Sequence, residues 1–151
     1  MKTKVAPSML LAIGFALFIG TGSVRAQDKH EHPSAGPHKG ALAEWGEEEY
    51  HVEVTFDHKL KAVIIYILDE KAKKAKPIAA SEVVLTIKGK PPVTLKVKAN
   101  PEKDDPKGTS SRFAGTHDIF GKHQDFQGTV SGKVGNKPYS GDFKAKHDHD
   151  H

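Results

Sequence analysis

The chain has 151 residues, with 23 Lys and Arg against 19 Asp and Glu, and no cysteine. Without cysteine there is no disulfide framework and no thiolate ligand, and both methionines, Met1 and Met9, fall in a segment expected to be removed. Soft sulfur coordination, the usual route to a dedicated Cu(I) site, is thereby excluded.

Residues 1–26 read as a secretory signal, with Lys2 and Lys4 at the start, an apolar run from Met9 to Gly20, and small Val24 and Ala26 before the cleavage point. The apolar run is about a dozen residues, short of the ~20 that a spanning helix needs. Cleavage after Ala26 is expected, giving a periplasmic or secreted protein that does not span the membrane. The formal charge of +4 falls to +1 once Lys2, Lys4 and Arg25 leave, since no acid leaves with them. No strongly basic surface for nucleic acid survives.

Residues 27–37 are rich in charge, Pro, Gly and His without apolar periodicity, and read as a flexible lead-in. A folded domain is expected over 38–146, followed by a His-Asp tail at 147–151. Within the domain, GALAEWG supplies a first strand. In YHVEVTFD the period is two: Tyr50, Val52, Val54 and Phe56 face one way, and His51, Glu53, Thr55 and Asp57 are assigned to the solvent face. AVIIYILD is apolar on both faces, as a central strand would be. SEVVLTIKG turns Val83, Leu85 and Ile87 inward, and VTLKVKA does the same with Val93, Leu95 and Val97. The stretch 100–125 holds a loop, a short strand around Arg112 to Ala114 and a turn of helix near Ile119. FQGTVSGKV and KPYSGDFKA flank Gly135 and Asn136, a pair suited to the positive φ of a tight hairpin. Seven or eight short strands in about 110 residues predict an all-β antiparallel β-sandwich, Ig-like in general shape, with Trp45 in its core or at its edge.

All ten histidines lie beyond residue 26. Imidazole near pH 7 keeps a lone pair for a metal. His147, His149 and His151 alternate with Asp148 and Asp150, offering nitrogen and oxygen donors within five residues. Such a set suits Cu(II), Zn(II), Ni(II) or Co(II), with Cu(II) the tightest on the general affinity order. A second tract near the other end carries His30 and His32 around Glu31, followed by His38. His51 and Glu53 share one strand face, and His38 comes near them if the first two strands pair. His58, His117 and His123 are assigned to loops as solvated or capping residues. There is no His-Glu-x-x-His, Gly-x-Ser-x-Gly, phosphate loop or nucleophilic cysteine, so the expectation is a protein that is not an enzyme.

The stretches GPHKGALAEWGEEEYHVEVTFD, VIIYILDEKAKKAKPIAASEVVLTIKG, SSRFAG and NKPYSGDF resemble a group of secreted bacterial proteins with a Pro-His-Gly-Gly opening, a Tyr-His-x-Glu strand and a His-Asp-rich tail. The opening is similar to a segment of the periplasmic adaptor subunits of heavy-metal efflux pumps. The resemblance implies a metal-handling role carried by His38, His51 and Glu53. Lys39 departs from the pattern, standing where its first glycine would be. The leading expectation is an exported protein that binds divalent transition metal as buffer, carrier or donor to an efflux complex. The rival is a protein-interaction or envelope-structural module with incidental histidines.

Overall fold

The computed structural model describes residues 33–147. Eight strands follow one another in chain order, β1 (Ala41–Trp45), β2 (Tyr50–Asp57), β3 (Ala62–Leu68), β4 (Glu82–Ile87), β5 (Val93–Ala99), β6 (Arg112–Thr116), β7 (Phe126–Val134) and β8 (Lys137–Ala145), with one 3₁₀ turn at Asp118–Gly121. All neighbours are antiparallel, in the order β1-β2-β3-β6-β5-β4-β7-β8.

β5 and β6 pair through only Lys98↔Ala114 and Ala99↔Phe113. This narrow junction divides the sheet into two four-stranded halves that face each other across the core. The all-β, sandwich-like class follows from this arrangement. The Ig-like detail finds no support, because an immunoglobulin sandwich divides its strands between two sheets, whereas here one hydrogen-bonded order runs through all eight.

The two ends of that order meet. Gly141 of β8 lies against the backbone carbonyl of Glu44 in β1, so closely that any Cβ there would collide with it. Trp45 of β1 stacks on Tyr139 of β8 with ring centroids 5.6 Å apart, and its indole N–H donates to the Val130 carbonyl at 3.0 Å. The sheet therefore curls until it nearly closes as a barrel. Near-closure covers both edge strands, which would otherwise present unpaired backbone groups.

Period-two alternation accounts for the core. Val52 and Val54, Val63, Ile65 and Ile67, Val83, Leu85 and Ile87, and Val97 are all buried, as are Trp45, Phe113, Phe126 and Phe143. Val93 and Leu95 reach the core only partly.

Outside the sheet, one segment overturns the simple alternation. His51 is 3 % exposed and Glu53 is 0 % exposed, so the solvent-face assignment of these two residues fails. Residues 36–40 fold over β2: the Gly36 N–H donates to the Gly40 carbonyl and the Lys39 N–H to the Gly36 carbonyl. Glu53 is packed directly against Gly36, which leaves no room there for a side chain. Farther along the strand, the loop after β3 covers His51.

Candidate metal centre

Three histidines converge at one end of the sandwich: His58, His123 and His147. Each offers one ring nitrogen, and the three nitrogens lie within 4.8 Å of one another. Among the described residues this is the group of three or more His, Cys, Asp or Glu side chains that can hold a metal ion. The rings pack in a triangle, with centroid separations of 4.7, 4.9 and 4.9 Å.

Local structure sets each ligand. His58 opens the turn between β2 and β3, where the Asp57 carboxylate accepts the Leu60 N–H at 2.9 Å and so holds the turn. The same turn is tied to the 3₁₀ segment, because the His117 N–H donates to the Lys61 carbonyl and the Lys61 ammonium pairs with Asp118 at 2.8 Å. The expected helical turn near Ile119 is thus present, and His117 caps it by accepting the Ile119 N–H. Buried Phe120 anchors the segment, and His123 follows from a bend in which the Gln124 N–H donates to the Lys122 carbonyl. His147 follows β8, held where its N–H donates to Asp125 at 2.7 Å.

The hydrogen bonds also set the proton positions. His58 Nδ1 lies 2.7 Å from the Phe120 carbonyl, and a carbonyl can only accept, so Nδ1 carries the proton. The lone pair of the neutral ring is then at Nε2. A ligating histidine whose second nitrogen donates to a backbone carbonyl is oriented and made more basic by that bond. His123 Nδ1 and His147 Nε2 stand 3.3 Å apart, within hydrogen-bonding distance. Two nitrogens on a tetrahedral ion, each about 2.05 Å from it, are about 3.3 Å apart. The His123–His147 pair already has the bite that such an ion requires. His58 brings a third ring nitrogen within 4.8 Å of both.

Three imidazoles on one ion leave a tetrahedral centre one ligand short. That arrangement is an open site, unlike the four-ligand set of a purely structural zinc. Imidazole nitrogens suit Zn, Cu, Ni and Co, and nothing in the triad selects among them.

The residues expected from the sequence divide into three groups. His147 belongs to the triad. His30, His32, Asp148, His149, Asp150 and His151 lie outside the described residues. His38, His51 and Glu53 are described, and they do not gather as a triad of ligands. Glu53 Oε1 accepts the N–H groups of His38 and Gly40, both at 2.8 Å, and Oε2 lies 2.8 Å from His38 Nδ1. The carboxylate thus anchors the 36–40 segment. His38 stacks on Tyr66 with centroids 3.7 Å apart, and Tyr66 is the cross-strand partner of Glu53. His51 Nδ1 faces the Asp69 carbonyl at 3.1 Å.

His58 and His123 were assigned to loops as solvated or capping residues, and the structure makes them partners of His147. No spacing within the sequence announces this. The available signal is that each histidine stands beside a strand end, His58 after β2, His123 before β7 and His147 after β8, and that the register brings Phe126 opposite Ala145.

Compared with known proteins, the chain matches no family model, no curated protein and no solved structure.

Proposed function

We propose that this protein binds a divalent transition-metal ion at His58, His123 and His147 and handles it as an exported buffer, carrier or donor to an efflux system. The observation that carries the reading is the convergence of three ring nitrogens from three separate stretches of chain, two of them already at the spacing a tetrahedral ion needs.

The placement favours exchange over permanent storage. His123 is exposed, and the other two ligands are only partly buried, so an incoming acceptor can reach the ion. Metal binding by imidazole competes with protons, so release on acidification is expected. Export rests on the signal-like residues 1–26, and the His-Asp tail that continues from His147 would raise the local capture rate. The role is binding, without catalysis.

Titration with Co(II) tests the reading, because a tetrahedral or five-coordinate cobalt site has visible d–d absorption. One saturable Co(II) per chain is expected. His58→Ala, His123→Ala and His147→Ala should each weaken it more than about a hundredfold, beyond the roughly 10–100-fold loss typical of outer-shell changes. Truncation after His147 should leave the bands in place. If the truncation abolishes binding and the three alanine variants do not, the tail binds metal and the triad does not.

A further inference from the structure

We infer that the triad holds its ion together with a small carboxylate anion, bound in the groove beside it, so that the species handled is a metal–carboxylate complex. This deepens the metal reading above and rests on it.

A groove of about 700 Å³ runs from the 34–40 segment across the outer part of β2 to the end of β8, and both His58 and His147 line it. That volume lies within the range of small-molecule sites, about 300–1,000 Å³, and is far more than an ion alone occupies. The charge of its wall is one-sided. Lys39, Lys144 and Lys146 line it, and among the described residues no Asp or Glu does. Among the described residues, the Glu53 carboxylate is engaged with His38 and Gly40 of this wall, and the Asp125 carboxylate with the His147 N–H. Three lysines on one groove wall are a local concentration of charge in a chain whose net formal charge is only +4 over all 151 residues. Clefts lined by one sign of charge raise the local concentration of the opposite ion.

Lys39 reaches the groove from the tight turn of the 36–40 segment and is one of five non-glycine positions at positive φ among the described residues. Its backbone sits at φ 63°, in the left-handed region where a glycine is at ease and a lysine is strained. The turn places Lys39 among the residues of the groove wall.

The coordination chemistry agrees. Three imidazoles leave at least one position on a tetrahedral ion open. A carboxylate is a hard oxygen donor that suits the same divalent ions. One carboxylate group would ligate the ion, and the remaining groups of a di- or tricarboxylate would meet the lysines. The lysines of this groove are strongly hydrated point charges, suited to holding an anion without fixing its orientation.

The test uses Co(II)-loaded full-length protein titrated with citrate, followed by the d–d bands and by filtration to measure protein-bound cobalt. The expected result is a saturable change in the bands with cobalt retained on the protein. Lys39→Gln/Lys144→Gln/Lys146→Gln should weaken citrate at least tenfold without weakening Co(II) binding, since removing positive charge beside a cation does not disfavour it. Bands that form with Co(II) and do not respond to citrate overturn the carboxylate inference and leave the metal reading standing. Bands that decay to those of free Co(II)–citrate, with cobalt lost from the protein, overturn it too, as competition instead of a joint complex. Equal citrate affinity in the lysine variant removes the groove from the account. If no d–d bands form at all, the metal reading itself has failed and the inference falls with it.

Discussion

Glu53 shows how one side chain can serve a fold in a way its position in a strand does not announce. A carboxylate with no exposed surface has lost its water, and an uncompensated buried charge is costly. Two backbone N–H groups and the His38 ring replace that water. Removing the ring partner by His38→Ala leaves one oxygen with less compensation and should cost about 1–3 kcal/mol, read as a lower midpoint in urea. Unchanged stability would mean that the ring contributes nothing to Glu53. Asp105 is a second anchoring carboxylate. Burial pushes its pKa upward, but the Ser111 N–H and hydroxyl and the Glu102 N–H outweigh burial and hold it below the usual Asp range. Its hydrogen bonds measure 2.7, 3.1 and 2.8 Å. A depressed folded pKa stabilises the protein above the unfolded Asp value of ~3.9, and that stability is lost as pH falls through the folded value. Asp105→Asn should therefore destabilise at pH 7 and approach the parent as the pH falls below the unfolded Asp value and through the lower folded one. A gap between the two that stays constant from pH 7 to pH 3 would contradict the assignment.

At the scale of strands, the decisive contact is the one between the first and the last. β1 pairs with β2 by ordinary ladder bonds, and its other side is covered by β8, where Gly141 lets the backbones approach. Gly141→Ala would place a Cβ on the Glu44 carbonyl, backbone against backbone, with no flexible side-chain end to yield. Overpacking of this kind costs about 1–3 kcal/mol or more. The expected outcome is a lower melting temperature together with faster amide exchange in β1. A variant as stable as the parent would show that β1 and β8 move apart without cost. The strands themselves were legible in the sequence, because alternation of apolar and polar side chains is a local record of which face is buried. The hairpin at Gly135 and Asn136 was legible for a similar reason: Gly135 takes φ 61°, and the flanking strands begin and end where the turn chemistry sets them. Closure of the sheet was not legible, since a glycine in a strand does not say which backbone will lie against it.

For the whole molecule, metal and stability are linked. The triad joins the β2–β3 turn, the loop before β7 and the chain after β8, so an ion bound there connects three stretches that the unfolded chain does not bring together. A ligand that binds only the folded state at a hundred times its Kd stabilises by about 2.7 kcal/mol. Saturating Zn(II) should raise the melting temperature by several degrees, and the rise should shrink on acidification as protons compete for the imidazoles. The same Zn(II) should leave a variant carrying His58→Ala, His123→Ala and His147→Ala at its metal-free melting temperature. An equal rise in that variant would place the stabilising ion elsewhere.

The sequence by itself determined the all-β class, the strand ends and the imidazole-rich chemistry. Composition and short-range periodicity are local properties, readable wherever neighbouring residues decide the outcome. It pointed to metal at His147 but set His58 and His123 aside, and it placed His51 and Glu53 in solvent. Only the tertiary structure decided which histidines meet and what covers the outer face of β2. Period two tells which residues share a face but not what lies over it, and the ligands of the triad come from separate stretches whose proximity exists only once the sheet has curled.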